Sequence, residues 1–149
     1  MDLDNLTDDE VKYLILHIKE SIDKTIDTIN KETSLIGSIK KDIQVLDYEN
    51  NINYILHIYR GNVDNKYSMH IRFNKNHLHL IRLCINGSNH INSDGTKGGK
   101  NHLHVYKIIN NQHEDYAYDI MKYNINEFSK DDNLLTSFDK FVKLLNIKE

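Results

Sequence analysis

The sequence predicts an α+β fold, a single domain over residues 1–149 in which helices at both ends of the chain pack on one sheet. Apolar residues recur at helical spacing near both termini, and they alternate with polar residues through the middle of the chain. Turn-forming asparagines and glycines separate the alternating segments. The expected architecture is a long N-terminal helix, an antiparallel sheet or partly open barrel of roughly five to six strands, and a C-terminal helix.

The N-terminal helix is predicted to begin at a capping box. Thr7 and Glu10 have the spacing at which each side chain accepts a hydrogen bond from the backbone N–H of the other. Apolar residues then follow at helical intervals, which predicts one amphipathic helix over residues 8–30. The apolar positions of this helix are Val11, Leu14, Ile15, Ile18, Ile22, Ile26 and Ile29.

The middle of the chain is predicted to form an antiparallel meander that leads into a C-terminal helix. The segment 54–59 is apolar on both faces, as in a central strand, and 67–73 alternates between apolar and polar residues. One further strand is predicted to end at residue 47, and three more are predicted to span 77–85, 102–109 and 116–118. Ser129 with Asp132 is a predicted cap for the last helix. Its apolar positions are Leu134, Leu135, Phe138, Phe141, Val142 and Leu145.

The composition excludes some classes of function. A net charge of −3 argues against a general nucleic-acid coat, whose surface must be basic. No apolar stretch approaches the roughly 20 residues of a membrane span, and the acidic start lacks the features of a signal peptide. A cytoplasmic protein without a membrane partner is therefore expected. The single cysteine, Cys84, cannot form an internal disulfide, so we expect a buried core residue and exclude a zinc site built on thiolates.

Histidine is concentrated between residues 70 and 113, and this segment is the best candidate for chemistry. It contains two His-x-His pairs, His77 with His79 and His102 with His104. Residues two apart on a strand point to the same face, roughly 7 Å apart, so each pair can present two imidazoles together. The glycine-rich loop at 86–101 separates the two pairs. Such long loops are commonly functional, and we expect this one to fold back over the histidines.

The sequence is consistent with three interpretations of the cluster. The first is a metal site, because two histidines on one strand with a third from elsewhere are a known zinc-binding arrangement. The second is metal-free acid–base catalysis on a phosphodiester, in which imidazoles remove and donate protons. The third is a solvated or partly buried histidine surface without chemistry. A transition metal, under the first interpretation, is the only cofactor considered.

The acid–base interpretation assigns a role to ten residues and requires no cofactor. The candidate catalytic residues are His90, Asp94, His102, His104 and Tyr106. The candidate phosphate- or ligand-binding residues are Arg82, Asn86, Asn92, Lys100 and Lys107. Cationic and amide groups of this kind can neutralise the charge that develops on a reacting phosphate.

Two segments carry a family resemblance. The loop at 87–95 has the pattern Gly-x-x-His-x-Asn-x-Asp-Gly, and the segment at 102–106 has the pattern His-x-His-x-Tyr. Together with the N-terminal helix start, they resemble a small uncharacterised family of bacterial and phage proteins. The resemblance implies an association with phages or mobile elements and no established reaction. Its polar positions correspond to Arg82, Asn86, Gly87, His90, Asn92, Asp94, Gly95, His102, His104 and Tyr106.

Two functional hypotheses follow from the cluster and the resemblance. The leading one is a phage or mobile-element effector that acts on RNA, a small histidine-dependent toxin similar to a ribonuclease. The alternative is a non-catalytic anti-defence protein of the anti-CRISPR type. It would bind and inhibit a host nuclease complex through an acidic surface such as Asp8, Asp9 and Glu10.

Overall fold

The computed structural model describes residues 1–22, 37–63, 65–123 and 128–148, and in these residues the protein is mostly β. An eight-stranded sheet with the order β10-β1-β2-β3-β4-β5-β8-β9 dominates the fold, and β6 pairs with β7 in a separate two-stranded sheet. The strands are β1 (Lys19–Ser21), β2 (Ile39–Asp47), β3 (Ile52–Arg60), β4 (Tyr67–Phe73), β5 (His79–Ile85), β6 (His90–Ile91), β7 (Lys97–Gly99), β8 (His102–Ile109), β9 (Gln112–Asp119) and β10 (Ile147–Lys148). The helices are α1 (Asp8–Leu16), α2 (Ile120–Tyr123) and α3 (Leu134–Leu144).

The predicted α+β fold class is wrong. The sheet has eight strands rather than five or six, and it is mixed rather than antiparallel because β1 pairs with β10 in parallel. The helices found in the described residues are all short. Most of the missed strands have two or three residues, too few to show an alternation of apolar and polar residues. The first half of β9 was missed because it is polar throughout. Among the described residues, no helix is long and apolar enough to cross a bilayer.

The long N-terminal helix is also wrong, because α1 ends at Leu16. The capping box that starts it is confirmed, with Thr7 Oγ1 accepting from the N–H of Glu10 at 3.2 Å. The apolar period continues past residue 16, but Ile18 and Ile22 remain 50% exposed. The chain turns at this point into β1. The remaining part of the predicted helix, at 23–30, lies outside the described residues.

The buried side chain in this turn is Lys19, which is 1% exposed. Its ammonium donates hydrogen bonds to the carbonyl oxygens of Ile15 at 3.0 Å, His17 at 2.8 Å and Leu145 at 2.9 Å. These carbonyls lie at the C-terminal ends of α1 and α3, where helices leave acceptors without partners. One cation therefore caps both helices and joins the two ends of the chain.

The C-terminal helix begins four residues later than its predicted cap, Ser129, suggests. The cap of α3 is Asn133, whose side chain accepts from the N–H of Thr136 at 2.8 Å. Asp132 instead accepts from the N–H of Ser129 at 3.1 Å, so the predicted pair forms a turn before the helix. The apolar stripe of the helix is buried as expected through Leu134, Phe138 and Phe141.

The two faces of the sheet differ in chemistry. Residues directly opposite in neighbouring strands point to the same face, so the register gives the composition of each face. Leu83 opposite Leu103 belongs to the apolar face that α1 approaches. On the other face, Asp42, His57, His70, Arg82, His104 and Ala117 are opposite one another in six consecutive strands. The candidate site lies on this polar face.

Candidate functional site

Three buried side chains meet where β5 and β8 leave the glycine-rich loop. Cys84 is directly opposite His102 in the register, and His104 is two residues further along β8. One ligand atom from each of the three lies within 4.8 Å of the other two. The rings of His102 and His104 are perpendicular, with centroids 4.5 Å apart. The predicted proximity of this histidine pair is confirmed, and the structure adds a thiol to it.

Both imidazoles have one nitrogen fixed by the backbone. Nδ1 of His102 donates to the carbonyl of Gly99 at 2.7 Å, and Nδ1 of His104 donates to the carbonyl of Asp115 at 2.9 Å. A carbonyl can only accept, so the proton of each neutral ring is on Nδ1 and the lone pair is on Nε2. Burial lowers the pKa of His102 and lowers that of His104 to about 4. Both rings are therefore neutral near pH 7, the form that binds metals.

The sequence predicts that Cys84 is a buried residue, and its burial is confirmed, but its neighbours are not the expected apolar ones. The thiol is buried on the polar face beside two histidines rather than within the apolar core. Burial raises the pKa of the Cys84 thiol, while the neighbouring Arg82 opposes this shift. A lone thiolate cannot build an all-cysteine zinc site, but a mixed cysteine–histidine set is open to it.

The loop brings a third histidine to the same place. β6 and β7 pair with each other and hold the ring of His90 4.8 Å from His104 and 6.0 Å from His102, measured between centroids. The predicted return of the loop imidazole onto the strand pair is confirmed. We call Cys84, His90, His102 and His104 the cysteine–histidine cluster. All four residues line a pocket with a volume of about 520 Å³.

Asp94 and Tyr106 do not join the cluster. Asp94 is exposed and accepts hydrogen bonds from the hydroxyls of Thr96 and Tyr116, both at 2.6 Å, which lower its pKa to about 2. Tyr106 is buried and donates its hydroxyl hydrogen to the carbonyl of Leu3 at 2.8 Å. Asp94 therefore stabilises the loop, and Tyr106 attaches the N-terminal segment to β8.

Among the five candidate ligand-binding residues, Arg82 alone lines the pocket. Asn92 is buried, and its side-chain amide bonds both the N–H and the carbonyl of Ala117, so it fastens the loop to β9. Asn86 donates to the carbonyl of Asn65 at 2.6 Å. The ammonium of Lys107 lies 5.2 Å from the ring centre of Tyr116, and Lys100 is exposed beyond the pocket lining.

The other His-x-His pair, His77 and His79, is split by a turn. His77 has a φ of 62° and is exposed, so β5 begins at His79 and only the second ring reaches the sheet. His79 stacks on His70 at 4.1 Å between centroids, and His70 stacks on His57 at 5.0 Å. Strand-like spacing suggested two rings on one face, but the left-handed backbone of residue 77 prevents this.

The buried ring of His70 predicts a loss of stability in acid. Burial and the neighbouring His79 lower its pKa to about 2, from an ordinary value of 6.5. Below pH 6.5 the unfolded chain binds this proton and the folded protein does not, so the free energy of unfolding falls as the pH falls. One such group contributes about 1.4 kcal/mol per pH unit. In urea denaturation between about pH 4 and pH 7, His70→Phe should remove that part of the slope. An unchanged slope in His70→Phe, relative to the exposed control His77→Phe, would contradict the prediction.

The fold and the cluster together define a β-sheet protein with a buried cysteine–histidine cluster beside an open pocket. The chain belongs to a family described as of unknown function (DUF6978), whose model matches residues 6–147. Comparisons with curated proteins and with solved structures gave no match. The expected membership of an uncharacterised family is thus confirmed, whereas the loop motif and the phage association stay predictions.

Proposed function

We propose that this protein binds a transition-metal ion, with Zn²⁺ as the expected ion, through Cys84, His102 and His104. The observation that carries this proposal is the position of three buried ligand atoms of the right types within 4.8 Å of one another. Ligand atoms of a tetrahedral zinc site lie roughly 3.5 Å apart, so small side-chain movements bring these three into range. Two imidazoles and a thiol suit Zn²⁺ or Cu²⁺ and do not suit Mg²⁺ or Ca²⁺, which prefer oxygen ligands.

The groups around the three ligands support the same proposal. The carbonyls of Gly99 and Asp115 orient the two rings, as outer hydrogen-bond partners of metal-binding histidines commonly do. The guanidinium of Arg82 favours the thiolate form of Cys84 that a metal requires. The pocket touches all three ligands, so a bound ion would have room for water or for His90 as a fourth ligand. Three protein ligands with one open position are typical of catalytic rather than structural zinc.

Metal analysis of the purified protein tests the proposal. We expect about one transition-metal ion per chain, and exchange for Co²⁺ should give the thiolate-to-metal absorption band of a cysteine ligand. Cys84→Ser should remove that band, and His104→Ala should reduce binding by about 100-fold or more. The exposed His77→Ala variant is the matched control and should bind as the wild type does. Absence of a bound metal, or binding that survives both ligand substitutions, would overturn the proposal.

Metal-dependent cleavage of RNA is the activity that such a site would support. Buried neutral imidazoles favour metal binding over proton transfer, and a metal-bound water at neutral pH is a nucleophile for phosphodiester hydrolysis. Under this proposal, expression of the protein in a host should deplete RNA, and His102→Ala should prevent the depletion. A non-catalytic inhibitor of a host nuclease, the alternative hypothesis, should tolerate His102→Ala and respond instead to charge reversal at Asp8 and Asp9.

A further inference from the structure

The pocket beside the cysteine–histidine cluster is lined by positive and hydrogen-bond-donating groups. Arg82 and Lys66 contribute two cations, and Ser68, Ser88 and Asn89 contribute polar side chains. The described residues that line this pocket include no aspartate and no glutamate, although the chain has 22 acidic residues and a net charge of −3. A positive pocket in an acidic protein attracts anions selectively, because field lines concentrate in a cleft.

Arg82 has unused hydrogen-bonding capacity at this place. Its guanidinium interacts with the Cys84 thiol, but its Nε–H is buried and has no acceptor. A buried donor without an acceptor is unfavourable, and a bound anion would remove that cost. The planar guanidinium is the group that proteins use most for two-point contacts with phosphate or carboxylate. The bound anion would therefore rest against Arg82, next to Cys84 and His102.

The mouth of the pocket offers a different kind of contact. Tyr59 and Val63 line it and are 47% and 57% exposed, so an aromatic ring and an aliphatic side chain face solvent there. Exposed aromatic rings beside a cationic groove are typical of sites that stack nucleic-acid bases. A volume of about 520 Å³ is far more than an inorganic anion requires and lies within the range of small-molecule sites.

We propose that this pocket binds a nucleoside 5′-phosphate, with the phosphate at Arg82 and Lys66 and the base against Tyr59 and Val63. The metal is a third contact for the phosphate, and only that contact rests on the proposed function. The same chemistry is presented by a free nucleotide and by the 5′-phosphorylated end of a nucleic-acid strand. The negative charge of the protein as a whole disfavours binding along the length of a strand.

Calorimetric titration of the purified protein, with its metal content measured in the same sample, tests this inference. The probes are AMP, adenosine, inorganic phosphate, and short single strands with or without a 5′-phosphate. AMP should bind at least about 10-fold more tightly than adenosine or inorganic phosphate, because it engages both ends of the pocket. Tighter binding of the 5′-phosphorylated strand than of AMP would identify a strand end as the source, and the reverse would identify a free nucleotide.

Substitutions separate this inference from the proposed function. Arg82→Gln should weaken AMP binding by about 10-fold or more, and the exposed Lys66→Gln should weaken it by a few-fold. Lys107→Gln removes a cation outside the pocket and should have no effect. A metal-free protein that still binds AMP through Arg82 overturns the proposed function and supports the inference. A metal-loaded protein that does not bind AMP, or that binds it equally well with both pocket substitutions, overturns the inference alone.

Discussion

Replacement of Lys19 by methionine should destabilise the folded protein by about 3–5 kcal/mol, a large fraction of the stability of a domain of this size. Methionine matches the length of the lysine stem, but it removes the donor shared by the carbonyls of Ile15, His17 and Leu145. Each buried acceptor that loses its partner costs about 1–3 kcal/mol. The loss should appear as a lower urea midpoint with an unchanged slope.

The exposed Lys12 on α1 provides the matched control. Lys12→Met should change the free energy of unfolding by less than about 0.5 kcal/mol. The pH dependence gives a second readout, since burial lowers the pKa of Lys19 to about 7, from an ordinary 10.5. Between about pH 7 and pH 10.5 the Lys19 side chain binds a proton in the unfolded chain and not in the folded protein, so its contribution to stability rises with pH. The difference in the free energy of unfolding between wild type and Lys19→Met should therefore increase as the pH rises above 7. Equal stability of the two proteins would show that water replaces the ammonium.

Gly98→Ala should disorganise the loop over the cysteine–histidine cluster, with a loss of about 1–3 kcal/mol and a fall in metal affinity of about 10–100-fold. A Cβ at Gly98 would lie 2.6 Å from the Cβ of Ala117 on β9, a distance that real atoms do not tolerate. β7 must therefore move away from β9. The movement displaces the neighbouring Gly99, whose carbonyl orients His102. Urea denaturation and metal titration measure the two effects.

A second substitution on the opposing strand makes this prediction specific. Ala117→Gly removes the methyl group that the new side chain meets, so the double variant should recover most of the metal affinity that Gly98→Ala loses. Because the two positions are in contact, the cycle should show a coupling free energy of about 1 kcal/mol or more. Gly87→Ala is the control, since its Cβ would meet no atom closer than 3.8 Å. Additive effects of Gly98→Ala and Ala117→Gly would refute the steric explanation.

Alternation of apolar and polar residues predicted the central strands of the fold, whereas helical spacing of apolar residues gave a wrong end for the N-terminal helix. The alternation of 67–73 is found as β4 with the same bounds, because each apolar residue there is buried on one face. The helix predicted over residues 8–30 ends at Leu16, because isoleucine spacing does not distinguish a helix from a turn into a strand. The buried ammonium of Lys19 decides that case through contacts with α3, more than 100 residues away.

The site was predictable in part for the same reason. His102 and His104 belong to one strand, and His90 belongs to the loop that feeds it, so local spacing placed all three near one another. Cys84 joins them only through the pairing register of β5 with β8, which a single sequence does not give. Asp94 and Tyr106 had suitable chemistry at suitable spacing. Their hydrogen-bond partners, Tyr116 and Leu3, lie in other segments of the chain, and the sequence pattern does not show that these segments come together.

The four side chains of the cysteine–histidine cluster all belong to one stretch of the chain, residues 84–104. Its two strands pair with each other directly, so closing this stretch requires no contribution from the distant termini. Short loops close with a small entropy penalty, and local contacts form early in folding. Asp115 and Ala117 of β9 hold His104 and the loop, so the ligand set should be assembled on the ribosome once β9 has emerged, before the closing segment that reaches back to Lys19 has been synthesised.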